Sequence, residues 1–396
     1  MKRIISLCFI LISLFSAAFA YNWFDDRYFE LSVGSKFGLS NNSMQIGDIL
    51  KKDLVIDLRK LADEMPKNGW SLNSYVVPEV SLKLNLRKVE IGLTTGTEIW
   101  SEAGISKDLF DYIGKGNSLY QTVSISQNIN TDAFAYEEIS VRFNIRDFKI
   151  VVKPTFFMPV MHAGSSNGTL RMNNLSDGSF NIDYSSDIEL YSAFAVSGGG
   201  GFKGGLGFDL GGSVSYPLFD FLTLTGNIRM PIVPGHLKYK TVQTTSFHFN
   251  TTVDKIINGN IGDQNFSSSH GDSQSADYMI NRPMKFSAFA DFTPFGNWVV
   301  FTGGLGLGFR HPFTDDKDSF EFFGEYYLAA SLRLLNILKL TLSTEYYEKL
   351  FIHQLSFSAN ARIIELVLGI NAQAAGFLKS CSGGGVGGLF AIKLGY

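Results

Sequence analysis

The sequence is poor in the features that stabilise small secreted domains or anchor helices in a membrane. It has two cysteines in 396 residues. Cys8 lies in an apolar N-terminal run, so loss of that run leaves Cys381 alone and excludes an intrachain disulfide. Cys8 also stands too early, and without the small-residue approach, to be a lipid-attachment site. After residue 20 no apolar stretch suits a membrane helix: the longest uncharged one, Phe292 to Phe309, is interrupted by Pro294 and by glycines. Basic excess is missing too. Lys and Arg number 34 against 37 Asp and Glu, for a net charge of -3, and removing Lys2 and Arg3 makes the remainder more acidic, which excludes nucleic acid as a partner.

Catalytic patterns are equally scarce. The six histidines, His162, His236, His248, His270, His311 and His353, show no metal-ligand spacing. Ser269, His270 and Asp272 are neighbours in sequence, which rarely build a nucleophile, base and carboxylate site. Asp315, Asp316 and Asp318 lack the glycine-turned loop of a calcium site. A formal G-x-G-x-x-G at Gly199, Gly201 and Gly204 lacks the strand-turn-helix context of a dinucleotide site. No enzyme, cofactor or metal is therefore expected.

What is abundant is aromatic and alternating. The chain carries 35 Phe, 16 Tyr, 4 Trp and 40 Gly. At the C-terminus Phe390, Ile392, Leu394 and Tyr396 alternate with Ala391, Lys393 and Gly395, and the chain ends on the ring. A period-two strand closing on a terminal aromatic is the assembly signal of an outer-membrane barrel. At the other end Lys2 and Arg3 precede an apolar run, Ile4 to Phe15, and Ala18, Phe19 and Ala20 form a cleavage site, which reads as a signal peptide over residues 1–20. The expectation is one domain over 21–396 in a bacterial outer membrane, with membrane lipid and the barrel-assembly machinery as partners.

Outward apolar positions at period two predict an all-β, transmembrane antiparallel barrel of about 14 strands. The series begins Phe29, Leu31, Val33, Phe37, Leu39 and ends with Phe390 to Tyr396. The stretch Ile188 to Phe202 is left open as an extra strand or a loop hairpin. Six short joints, Asn85–Val89, Asn144–Phe148, Leu218–Phe221, Phe295–Trp298, Leu334–Leu338 and Ala361–Ile364, predict periplasmic turns, with long connections on the other side. Two connections carry helical spacing, to be placed in the extracellular loops or the lumen: Ile46 to Met65, stopped by Pro66, and the segment capped by Ser106 with Leu109, Phe110 and Ile113 on one face.

The opposite strand phase supplies candidate lumen-lining residues: Lys83, Glu90, Arg142, Lys149, Asp209, Arg229, Asp291, Arg333, Lys339, Arg362, Glu365 and Lys393, with Glu30, Lys36, Glu98, Lys285, Glu325 and Glu345. Mixed signs within reach of one another predict a self-paired network. A second reading notes the basic excess near the turns, where Arg87 also lies, and favours anionic solutes. Pro154 and Pro159 remove ladder donors from the fifth strand and mark either a bulged extracellular end or a seam for lateral exit.

The run Asp108, Leu109, Phe110, Asp111, Tyr112, Ile113, Gly114, Lys115, Gly116, Asn117, Ser118, followed by Ala133 to Glu138 and Ser185, Ser186, Asp187, Ile188, resembles a largely uncharacterised family of bacterial outer-membrane barrels. The resemblance covers roughly residues 25 to 195. In strand number and size the chain also resembles the FadL-type channels, which imply a passive route for hydrophobic or amphipathic small molecules, an N-terminal hatch and a kinked strand. Here only residues 21–28 precede Phe29, and no hatch motif is present. The expected function is a channel with a small hydrophobic solute as partner. The alternatives are a general diffusion porin and a surface module that binds through the polar loop from Pro231 to Pro283.

Overall fold

The computed structural model describes residues 27–43, 57–67, 69–86, 88–116, 123–164, 167–174, 178–196, 201–252, 254–255, 258, 263–312, 320–334, 337–347, 349–381 and 384–396. The leader, the first half of the Ile46 to Met65 segment, Arg87, Gly199 and Asp315, Asp316 and Asp318 lie outside the described residues. In chain order the elements are β1 (Phe29–Asn41), α1 (Leu58–Glu64), β2 (Trp70–Asn85), β3 (Val89–Ile105), α2 (Lys107–Lys115), β4 (Val123–Ile145), β5 (Phe148–Ala163), β6 (Asn167–Asn174), β7 (Ser179–Ser192), β8 (Gly204–Gly205) and β9 (Gly207–Phe219). They continue with β10 (Leu222–Val233), β11 (Gly235–Thr252), β12 (Asp263–His270), β13 (Gln274–Ile280), β14 (Met284–Phe292), β15 (Pro294–Asn297), β16 (Val299–Arg310), β17 (Glu321–Leu334), β18 (Leu338–Tyr347), β19 (Leu350–Asn360), β20 (Ile364–Ala374), α3 (Phe377–Cys381) and β21 (Gly385–Gly395).

Strands β1 to β5, β9, β10, β14 and β16 to β21 form a closed 14-stranded antiparallel barrel. β21 pairs with β1 from Ser40↔Gly385 to Glu30↔Gly395, and the N–H groups of Tyr28 and Phe29 donate to the Tyr396 carbonyl at 2.7 and 3.3 Å. Closure removes the unpaired edges that lipid would leave unsatisfied. Each strand read from the sequence is present. Phe390, Ile392, Leu394 and Tyr396 all face outward and are exposed, as their phase predicts. The stretch from Ile188 contributes to β7, outside the barrel.

The short joints lie at one end of the barrel, together with Arg27, the first described residue, and Tyr396. Leu86 N–H donates to the Val89 carbonyl at 2.8 Å, and Ala361 N–H to that of Ile364 at 2.8 Å. Arg146 and Arg362 take left-handed φ values of 55° and 70° within two of these turns.

At the opposite end the wall continues into a second sheet. The start of β4 pairs with β6, β6 with β7, β7 with β11, and β11 with β8, β12 and β13. The Pro231 to Pro283 stretch, read as a loop, is thus largely strand. Its apolar alternation is confined to short runs such as Leu237 and Tyr239 of β11 and Tyr278 and Ile280 of β13, among many Ser, Thr and Asn.

The helices are where the sequence places them, in the connections opposite the short turns. Ser106 is the N-cap of α2, although its side chain makes no cap bond. Gly114 lets α2 close on α1, since a Cβ there would meet the Leu58 carbonyl and the Ala62 methyl. Ala62 and Met65 are buried. Lys115 bridges Asp111 at 2.8 Å and Asp63 at 3.0 Å, and these hydrogen bonds raise its ammonium pKa. The Tyr112 ring stacks on Phe180 of β7. In the described part the helical pair covers itself and leans on the added sheet.

Candidate functional site in the barrel lumen

Lumen-facing glycines sit opposite lumen-facing aromatic rings. Gly38 pairs with Tyr75, Gly96 with Tyr136, Gly207 with Phe157, Gly304 with Phe289 and Gly308 with Phe323. In each pair a Cβ on the glycine would collide with the partner's ring. The ring therefore lies over its neighbour's bare backbone, and aromatic faces pave the lumen without blocking it edge-on. This cross-strand arrangement accounts for part of the joint abundance of Gly and aromatics.

Charged side chains then cross the lumen. Glu98 on β3 meets Arg229 on β10 at 3.2 Å, although β4, β5 and β9 separate those strands in the wall. Arg282, carried inward by the short link between β13 and β14, donates to Glu98 at 2.8 Å and to Asp209 at 3.1 Å, and its guanidinium lies 4.5 Å from the Tyr136 ring centroid. Arg282 and Asp209 are both buried. Lys36 of β1 pairs with Glu345 of β18, and Lys285 with Glu325 at 2.7 Å, while both ammonium groups face the Tyr347 ring. Buried ions without partners would be costly, so this pairing is what makes a charged lumen tolerable.

Near the turns a second cluster ties the chain start to the closing strands. Arg27 contacts Glu30 at 3.0 Å and Glu365 at 3.4 Å, with Lys83 on Glu30 and Lys393 on Glu365. Arg142 pairs with Glu90 at 2.7 Å, and Asp291 accepts from Thr302 at 2.6 Å. Arg333 and Lys339 are cross-strand neighbours, half-buried. Lys149 is exposed, and Arg362 occupies a turn, where its N–H donates to the Asn360 side chain.

Between these layers lies a cavity of about 200 Å³. Tyr75, Trp100, Phe134 and Tyr347 give it aromatic sides, and Glu98, Arg229 and Arg310 close it. Above it an apolar cap of Phe134, Phe157, Ala193, Leu237 and Ile280 is packed with Tyr191 and Tyr278. Arg282 and the Asp132, His162, His311 group were not legible in sequence as parts of the lumen: Arg282 follows a polar stretch with no strand phase, and 149 residues part His162 from His311.

The wall beside Tyr136 and Phe157 is interrupted. The β2–β3 ladder passes from Val76↔Ile99 to Glu79↔Gly96, leaving Val77 and Pro78 unpaired with β3. Pro78 has no N–H to give. The β4–β5 ladder likewise omits Pro154 and carries a bulge beside Pro159. β5 leaves β9 beyond Phe157↔Gly207 and next meets β7 at Met161. A concavity of about 670 Å³ lies here, bordered by Gly34, Gly96, Tyr136 and Phe157 and by outward Pro78, Thr95, Thr97, Glu137 and Leu206.

No family model matches the sequence, and no curated protein matches it. Among solved structures the chain is similar to a monoaromatic hydrocarbon channel, the TodX deltaS2S3 mutant, with a TM-score of 0.53 and 8% identity over 96% of this chain and 94% of that one. The TodX deltaS2 mutant gives 0.50 and 10% identity over 96% and 94%. A FadL homologue of Pseudomonas aeruginosa is a weaker match, at a TM-score of 0.41, 10% identity and 96% and 93% coverage. At such identities the likeness is one of fold alone, a closed antiparallel β-barrel. The strand number and the closure expected from the sequence are present.

Proposed function

We propose that the protein is a passive outer-membrane channel for small hydrophobic or amphipathic molecules, exported by its cleavable leader. The observation that carries this reading is the lumen itself: aromatic rings laid over glycines, discrete cavities, and ion pairs that cross from wall to wall. A porin for hydrophilic solutes needs a continuous water column, whereas an apolar solute needs a dry pocket and a way out. The cavity beside Trp100, about 200 Å³ between four aromatic rings with charged groups at its ends, has the volume of one aromatic ring and suits an amphipathic one. The hydrocarbon-channel fold of the similar structures supports the same solute class. We place the exit at the interrupted wall of β2 to β5, where the ladder is already incomplete and Pro154 and Pro159 contribute to the break.

Uptake of labelled toluene by cells whose own hydrocarbon channels have been deleted tests the proposal. Expression of this chain is expected to speed toluene entry while leaving entry of a hydrophilic disaccharide unchanged. Faster disaccharide entry with unchanged toluene entry would overturn it.

A further inference from the structure

Asp132, His162 and His311 converge at the upper lumen, all three buried, with one potential ligand atom of each within 4.8 Å of the others. Asp132 and His162 are cross-strand partners on β4 and β5, and His311 directly follows β16. β5, β9, β10 and β14 lie between those walls, so the group joins two sides of the barrel. From these three side chains we infer a binding site for a divalent transition-metal ion of the zinc type.

The geometry is close to what such an ion requires. With metal bonds of about 2.0–2.1 Å, two ligand atoms on a tetrahedral zinc stand about 3.3 Å apart. Asp132 Oδ1 lies 2.6 Å from His162 Nδ1, and Asp132 Oδ2 lies 3.7 Å from His311 Nε2. Side-chain rotations that part the first pair by about 0.7 Å and close the second by about 0.4 Å bring both to that separation. Two imidazoles and one carboxylate select zinc-like ions over calcium or magnesium, and leave a coordination position for water.

The surroundings are those of a metal site in two further respects. His162 Nε2 is 3.1 Å from the Tyr278 hydroxyl, and the two rings stack at 4.8 Å. A ligating imidazole characteristically donates its second N–H to such a partner, which fixes ring and tautomer. His311 holds a left-handed φ of 45°, a conformation uncommon for a residue with a Cβ, and that backbone turn brings its ring to Asp132. The nearby cations do not neutralise the site. Arg310 is 3.9 Å from Asp132 but 3.3 Å from Glu321, and Lys349 is shared between Glu321 and Glu102. With neutral imidazoles, Asp132, Glu102 and Glu321 against Arg310 and Lys349 leave one net negative charge. A bound ion pins β4 and β5 to the segment after β16, whatever solute the lumen carries.

The test uses the full chain folded in detergent, stripped with EDTA and titrated with zinc chloride by calorimetry. One tight site per chain is expected, and the apparent unfolding temperature is expected to rise with zinc and fall back with EDTA. His162→Ala and His311→Ala should each weaken that site at least about 100-fold, while a control carrying His236→Ala and His248→Ala keeps it. Heat-modifiable migration reports whether each variant is folded. Cobalt added to the unmodified protein supplies a readout that needs no variant: intense visible bands of a low-coordinate site are expected. Absence of a tight site, equal affinity in the folded His162→Ala and His311→Ala variants, or only the pale spectrum of octahedral cobalt would overturn the inference.

Discussion

The wall from β17 to β21 and the wall from β2 to β5 are built from the same kind of strand and end differently. In the first, every ladder runs in continuous register, and Leu328, Leu340, Leu342, Leu355, Phe357, Leu366 and Leu368 present an apolar face. In the second, prolines remove donors, two ladders skip residues, and Thr95, Thr97 and Glu137 replace the apolar side chains outside. Backbone groups in lipid must be satisfied within the barrel, so a wall with gaps and an outward carboxylate is a local weakness unless it serves passage. One arc of this barrel has its ladders complete and the other does not, and under the proposed function the incomplete arc is where opening falls.

The largest effect is expected at the closing strand of the continuous arc. Tyr396→Asp places a charge on the terminal lipid-facing position, and heat-modifiable, protease-resistant barrel should be lost altogether. Arg282→Ala comes next. It leaves the buried Asp209 without its cation and Glu98 with Arg229 alone, at a cost of about 3–5 kcal/mol, and should convert an electrically quiet barrel into one with steady conductance. Urea unfolding and planar-bilayer recording check the two parts separately.

A matched pair of charge insertions compares the arcs directly. Phe357→Arg, on the lipid face of β19, should cost about 2–4 kcal/mol. Thr95→Arg, in the polar stretch of β3, should cost less than half as much in the same urea titration. Equal costs would remove the distinction between the two walls. The smallest effect is expected for Pro78→Ala, which restores a ladder donor to β2. About 0.5–1.5 kcal/mol of added stability, together with slower toluene uptake, would locate the exit; unchanged uptake would move it elsewhere.

The arcs also differ in how much of them the sequence discloses. Lipid reads only one face of each strand, and it demands apolar side chains at period two, so the outer face of all barrel strands was legible from Phe29 to Tyr396. Turns were legible because short joints interrupt that period. The lumen face carries no comparable rule. Glu98 with Arg282, or Asp132 with His311, are pairs made by closure of the barrel, and no local spacing announces them. The added strands β6, β7 and β11 to β13 escaped for a related reason: with no lipid to demand one continuous apolar face, their apolar residues are scattered among Ser, Thr and Asn. Helical spacing marked α2 and the described part of α1, but not where they dock, because an apolar stripe demands a partner without naming it. Among the described residues it is Arg282 and its partners, not α1 or α2, that cross the lumen.

The central claim is that this lumen is occluded to ions and water yet passable to an apolar ring. Single-channel recording of the unmodified protein in planar bilayers, paired with toluene uptake by the same preparation in vesicles, tests it most directly. Toluene entry with no steady conductance is expected. Large, ohmic conductance without toluene entry would contradict it.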